Sequence, residues 1–253
     1  MAMLDIVVIL KDDCSSFERL LASVRRQTAE GMTVTAVTQK PQDVEALREK
    51  YSFRLVEAKS GLMDAVNDAV KSTASQYAMI AAADQMFEVD FYETVSAYFG
   101  GFDVIALNIS RLHRSGNFYR IFPTDEADAK TCLLRRPCVY GWIISADVLR
   151  KNTAELKSLA LSDQLDFING CLAAGKKSCY IPLSKTYIDD MTLSSEPSFT
   201  TALSKGEYKN TLVRQSAKDC FEILTKTKFY KNLGKTKRLI KRIIRRLLRM
   251  VAR

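Results

Sequence analysis

Leu4-Asp-Ile-Val-Val-Ile-Leu10 is the stretch on which the reading of this chain turns. Its length and its Val and Ile content predict a buried strand. Ser15 and Ser16 follow where a helix cap is expected, and Phe17, Leu20, Leu21 and Val24 then recur at helical spacing up to Gln27. Met32 to Val37 predicts a second strand, Asp43 to Tyr51 a helix, and Phe53 to Val56 a third strand. Gly61 breaks the chain before a helix whose Leu62, Ala65, Val66, Ala69 and Val70 form one apolar stripe. Tyr77 to Ala83 predicts a fourth strand, ending at Asp84. Strands alternating with helices in this way predict an α/β fold, a mostly parallel sheet with helices on both faces. Ligands bind such sheets beyond the carboxyl ends of the strands. Those ends fall at Leu10 to Asp12, Val37 to Gln39, Ala58 to Gly61 and Ala82 to Gln85.

The second half is less regular. Asp103 to Asn108 predicts a strand, and Ser115-Gly116-Asn117 a turn between two stretches able to pair as a hairpin. A short helix starts at Ser145, and Ser162 can cap another running to Ala174, which Gly175 ends. Ser178 to Ile181 predicts a further strand. Ser184 to Tyr208, rich in Ser, Thr and Asp, predicts a loop over a site.

The charge is divided. Of the 253 residues, Lys226 to Arg253 hold 12 Lys or Arg and no Asp or Glu. The remaining 225 hold 26 basic and 29 acidic side chains, a net of −3. The boundary therefore separates residues 1–225, a slightly acidic body, from 226–253, a basic tail. In the tail Leu239, Ile240, Ile243, Ile244, Leu247 and Leu248 recur at helical steps, with Lys241, Arg242, Arg245, Arg246 and Arg249 between them. This pattern predicts an amphipathic C-terminal helix lying on an anionic membrane surface. Packing on its own domain is the first alternative. Nucleic-acid binding is the weaker one, because no aromatic platform accompanies the stripe.

The six cysteines include no C-x-x-C pair and His113 is the single histidine, so a zinc site is not expected. No signal peptide is expected, because Asp5, Lys11, Asp12 and Asp13 interrupt the early apolar run. No window approaches the roughly 20 apolar residues of a membrane span. The expected location is cytoplasmic, peripheral on the inner face of the membrane.

Three stretches together resemble the family 2 glycosyltransferases of the GT-A (Rossmann-like) fold. They are Asp5-Ile-Val-Val-Ile-Leu-Lys-Asp12 with its helix to Gln27-Thr28, Gly61-Leu-Met-Asp-Ala-Val-Asn67, and Ser162-Asp-Gln-Leu-Asp-Phe167 leading to Tyr180-Ile-Pro182. The second is similar to the G-I-Y-D-A-M-N stretch of a bacterial polysaccharide-synthesis branch. The chain departs from the family pattern at three places. Thr38-Gln39 stands where the family has an acidic pair, Ala82-Ala83-Asp84 where it has D-x-D, and Ser162 where it has the first residue of E-D.

The resemblance implies an inverting transfer of a sugar from a nucleotide-sugar donor to a lipid-linked acceptor in surface-polysaccharide synthesis. It places the donor against Leu10, Asp12, Thr38, Gln39, Gly61, Asp64, Asn67, Ala83 and Asp84. It makes Asp84 the ligand of a divalent metal (Mn2+ or Mg2+) and Asp163 the base for the acceptor hydroxyl. It brings Trp142 near the acceptor. Read alone, Asp163 is a first-turn charge favoured by the helix dipole and Trp142 a core residue, while Asp84 can be a turn or helix-capping aspartate and Asp64 and Asn67 solvated polar positions. The alternative function is a catalytically inactive relative that binds a partner enzyme at the membrane.

Overall fold

The computed structural model describes residues 3–11, 16–112, 118–120 and 138–189. In chain order the elements are β1 (Leu4–Leu10), α1 (Phe17–Arg25), β2 (Met32–Thr38), α2 (Gln42–Lys50), β3 (Arg54–Glu57), α3 (Leu62–Lys71) and β4 (Tyr77–Ala82). They continue with β5 (Met86–Phe87), α4 (Phe91–Ser96), β6 (Val104–Leu112), β7 (Phe118–Arg120) and a 3-10 turn (Val139–Gly141). The series ends with β8 (Trp142–Ser145), α5 (Ala146–Lys151), α6 (Leu161–Ala174) and β9 (Ser178–Asp189).

One sheet holds the strands in the order β3-β2-β1-β4-β8-β6-β9-β5, with β7 paired to β6. The first four are parallel to one another, as the alternation of strands and helices predicts. β8 runs antiparallel between β4 and β6, and β9 is parallel to β6. β1 is buried along its whole length, and its side chains alternate between two cores. Leu4, Ile6, Val8 and Leu10 pack with Phe17 and Leu20 of α1, Val44 of α2 and Phe91 of α4. Val7 and Ile9 pack with Val66 and Val70 of α3, Leu149 of α5 and Phe167 and Ile168 of α6. Helices thus cover both faces, and the apolar stripes of α1 and α3 are the faces they bury.

Two expectations are corrected. Residues 184–189 continue β9 rather than opening a loop, because β6 offers a continuous edge. The register shifts between Leu107 and Ile109 absorb Pro182, whose missing N–H would otherwise cost a ladder bond. Asn108 donates from Nδ2 to the Pro182 carbonyl at 2.8 Å and holds the bulge closed. The second correction concerns caps. Ser162 lies inside α6, whose N-cap is Ala160; the hydroxyl that meets the Ala160 N–H belongs to Ser158, at 3.0 Å. Ser16 is the N-cap of α1 but makes no side-chain capping bond; its hydroxyl accepts instead from Arg19.

Among the described residues no helix is long and apolar enough to cross a membrane. Asp12 and the tail expectation at Leu239 to Arg249 lie outside the described residues, as does the boundary at 225.

Candidate active site

Strand register places the carboxyl ends of the parallel strands side by side. Leu10 pairs with Thr38, Thr38 with Glu57, and Ile9 with Ala82. Ala83 and Asp84 leave this edge next to Leu10. Leu10 is buried, and so is Thr38, whose hydroxyl accepts the Lys40 N–H at 3.0 Å. Gln39 is exposed beyond the strand end. Gly61 caps α3 in extended backbone, and a Cβ there would come within 2.7 Å of Oδ2 of Asp64. The exposed Asp64 carboxylate therefore sits over the helix start, where the dipole favours it.

Asp84 is 9% exposed. The fully buried Gln85 beside it fixes the turn. Its Nε2 donates to the Tyr140 carbonyl at 3.2 Å and to the Thr186 hydroxyl at 2.8 Å, and its Oε1 accepts the Ala82 N–H at 3.4 Å. The Thr186 hydroxyl passes its own proton to the Met86 carbonyl at 3.2 Å. The acidic turn is thereby tied to β9 and to the 3-10 turn at Val139–Gly141. At Gly141 a Cβ would come within 2.7 Å of the tip of the Ile109 side chain, which would have to shift.

Asp163 stands in the first turn of α6, half-buried, with Oδ2 accepting the Ser158 hydroxyl at 2.6 Å. Gln164 beside it is fully buried; its Oε1 accepts the Val139 N–H at 2.8 Å and its Nε2 donates to the Leu159 carbonyl at 2.6 Å. Asp84 and Asp163 are thus each followed by a glutamine that grips one three-residue turn. That turn is the element that the two glutamines share. Asp166 is exposed on the same helix.

Two expected ligand contacts take structural places instead. Asn67 is 5% exposed and its amide is fully used: Nδ2 donates to the Met63 and Leu156 carbonyls at 2.9 and 3.1 Å, and Oδ1 accepts the Leu156 N–H at 3.0 Å. It clamps α3 to the segment before α6, with both amide protons spent on backbone carbonyls. Trp142, the first residue of β8, is 2% exposed, and its ring is a core group rather than one that faces an acceptor. Ser158, Gln85 and Gln164 were missed. The one available signal was a hydroxyl just ahead of a helix start.

Asp84 supplies one carboxylate at the end of β4, a hard oxygen ligand but not a complete metal site. Mg2+-type sites take one or two carboxylates and complete their shell with substrate phosphates and water. Among the described residues no group of three acidic, His or Cys side chains converges. The open groove of about 760 Å³ floored by Leu21, Val24 and Met32 lies at the opposite ends of the strands.

No protein-family model matches the chain, and no curated protein matches it in sequence. Solved structures do match in shape. S. aureus TarS superposes with a TM-score of 0.63 at 14% identity, over 87% of this chain and 43% of that one. S. aureus TarS 1–349 in complex with UDP-GlcNAc gives 0.63 at 15%, over 85% and 66%. GalNAc-T7 with UDP, GalNAc and Mn2+ gives 0.56 at 12%, over 74% and 44%. The fold is GT-A. The chain spans less than half of the TarS chain, and the likeness carries the architecture alone.

Proposed function

We propose that the chain is a glycosyltransferase that moves a sugar from a nucleotide-diphosphate donor. The observation that supports this reading is the GT-A fold with Asp84 beyond the end of β4 and Asp163 in the first turn of α6, each next to a glutamine bonded to the Val139–Gly141 turn. The structural neighbours crystallised with UDP-GlcNAc or UDP support a nucleotide-sugar donor.

The donor lies against Gln39, Gly61, Asp64, Ala83 and Asp84, over the buried Leu10 and Thr38, and Asp12 is the further donor contact that the resemblance implies. Asp163 accepts the proton of the acceptor hydroxyl. The freed oxygen bonds to the anomeric carbon from the face opposite the diphosphate. The carbon–oxygen bond to the diphosphate breaks, and its electron pair leaves with the nucleotide, inverting the centre. Asp84 would hold a divalent cation, which when bound supplies positive charge to the leaving diphosphate. The acceptor is a lipid-linked sugar of a bacterial surface polysaccharide. The tail from Leu239 to Arg249 holds the enzyme peripherally on the cytoplasmic face of the membrane, where such an acceptor is found.

The test is release of nucleotide from a panel of nucleotide sugars, with a membrane lipid extract as acceptor source, by wild type and Asp163→Asn. Removing a general base costs about 10²- to 10⁴-fold in rate while donor binding persists. Transfer by Asp163→Asn at the wild-type rate removes Asp163 as base. Absence of transfer from every donor favours the inactive-partner reading, with which the single carboxylate of Ala82-Ala83-Asp84 agrees.

A further inference from the structure

We infer that Ser158 is a positioning residue that holds one oxygen of Asp163 and leaves the other for the acceptor hydroxyl. This rests on the reading of Asp163 as the base.

The direction of the hydrogen bonds carries the inference. Ser158 Oγ accepts the Ala160 N–H at 3.0 Å, which occupies a lone pair and turns the hydroxyl proton away from that backbone. The proton falls on Oδ2 of Asp163 at 2.6 Å. Bonds this short between a hydroxyl and a carboxylate oxygen are charge-assisted and strongly directional. A carboxylate has two oxygens and no proton to give. With Oδ2 held, the carboxyl plane is set and Oδ1 is the oxygen free to receive a proton.

The serine is itself held from several sides. Leu156, two residues before it, is clamped in both directions by Asn67 of α3. Lys71 of the same helix pairs with Glu155 at 2.9 Å. Leu159, one residue after it, receives the Gln164 amide at 2.6 Å. Upstream, Asn152 Oδ1 accepts the Ala154 N–H at 3.0 Å, while its Nδ2 donates to the Phe167 carbonyl and to Sγ of Cys171, both at 3.1 Å. Gly170 leaves the room for this, because a Cβ at that position would collide with Asn152 and Ala154. Residues 152–160 therefore form a strap tied to α3 and α6, with Ser158 at the point where it meets Asp163. A hydroxyl serving only to cap α6 would need the Ala160 contact alone; the second contact aims at the base.

The full chain is compared with Ser158→Ala, Ser158→Thr and Asp163→Asn. The measurements are UDP release from UDP-GlcNAc, UDP affinity, thermal melting, and the carboxyl-carbon resonance of Asp163, assigned by its loss in Asp163→Asn. Groups that orient a reacting residue are worth about 10- to 100-fold in rate. Ser158→Ala is expected to lose that factor in kcat with KM and UDP affinity unchanged, and to shift the Asp163 resonance. Ser158→Thr keeps the hydroxyl and is expected to restore both. Wild-type kcat in Ser158→Ala, beside an inactive Asp163→Asn, overturns the inference and leaves the base reading standing. Full activity in Asp163→Asn overturns the base reading itself. Should wild type leave UDP-GlcNAc intact, the resonance decides: an Asp163 signal unmoved by Ser158→Ala overturns the contact, and a shift restored by threonine sustains it. A fall in melting temperature without a resonance shift assigns Ser158 to the helix cap.

Discussion

Gln85 and Gln164 hold the same turn from opposite sides. Gln85 donates to the Tyr140 carbonyl at 3.2 Å, and Gln164 accepts the Val139 N–H at 2.8 Å. Both side chains are fully buried, so each bond is made where water cannot replace it. Leaving a buried backbone partner unsatisfied costs about 1–3 kcal/mol. Gln85→Leu and Gln164→Leu are each expected to lose stability in that range by urea unfolding. The double variant is expected to lose less than the two losses together, because one released turn frees both partners. Strict additivity would mean that the glutamines act on separate elements.

Asn67 has a structural role, and Asp84 is the residue proposed to meet the metal and the donor. Asn67 spends its whole amide on Met63 and Leu156. Asn67→Ala is expected to lower stability by about 1–3 kcal/mol and to leave UDP affinity in the presence of Mn2+ unchanged. Asp84→Ala is expected to abolish Mn2+-dependent UDP binding. Calorimetry on both variants reads the contrast. UDP binding lost in Asn67→Ala and kept in Asp84→Ala would invert the two assignments.

The carboxylate of Asp5 lies at the amino end of β1, away from the candidate site. It is 4% exposed and accepts hydroxyls of Thr33, Thr35 and Thr73 at 3.3, 3.0 and 3.1 Å. Burial pushes its pKa above the ordinary carboxylate value, and the three hydroxyls and Arg54 offset this only in part. The folded state therefore holds the proton more tightly than the unfolded chain. By linkage, the stability this group contributes is fully present below pH 3.8 and is lost as pH rises through the folded pKa. Asp5→Asn mimics the protonated form, and the threonine hydroxyls can turn to accept its amide. The variant is expected to melt higher than wild type at neutral pH, the gap closing as pH falls towards that value. A variant less stable at neutral pH, by an amount independent of pH, would make the charged form the stabilising one.

The sheet was legible because buried parallel strands are continuous apolar runs: Leu4–Leu10 and Tyr77–Ala82 are buried end to end. The helices were legible through their stripes, as Val66, Ala69 and Val70 of α3 testify. β8 was not, because Trp142–Ser145 has four residues and follows a glycine, so neither length nor alternation marks it. The far half of β9 was hidden by Pro182 and by polar residues that pair only because Asn108 bulges β6. At the site, Asp84 and Asp163 could be singled out by type and position. The glutamines could not, since a buried amide differs from a solvated one only in partners supplied by distant residues. Asn67 lies on the helical face next to Asp64 in sequence terms, yet its partner is Leu156, 89 residues away.

The tail prediction turns on two forces that can be separated. Residues after Glu222 carry no acidic side chain, and the apolar positions from Leu239 to Leu248 alternate with Lys241, Arg242, Arg245, Arg246 and Arg249. Each basic residue near an anionic leaflet contributes about 1 kcal/mol, and the apolar face adds burial of its own. Arg245, Arg246 and Arg249 changed together to Glu reverse three charges while sparing the stripe. That variant is expected to stay in solution with phosphatidylglycerol vesicles at every salt concentration. Ile243, Ile244 and Leu247 changed together to Ser keep the charge and remove the burial. Its binding is expected to be weak and to vanish as salt screens the surface, since charge attraction alone falls off within a Debye length of about 8 Å at physiological ionic strength. On the membrane reading the tail contributes little to the core, so both variants are expected to melt with the wild type. Vesicle flotation beside thermal melting decides between the membrane and the core. A serine variant that melts many degrees lower would show the stripe packed against the domain, because only a buried face makes stability depend on Ile243, Ile244 and Leu247.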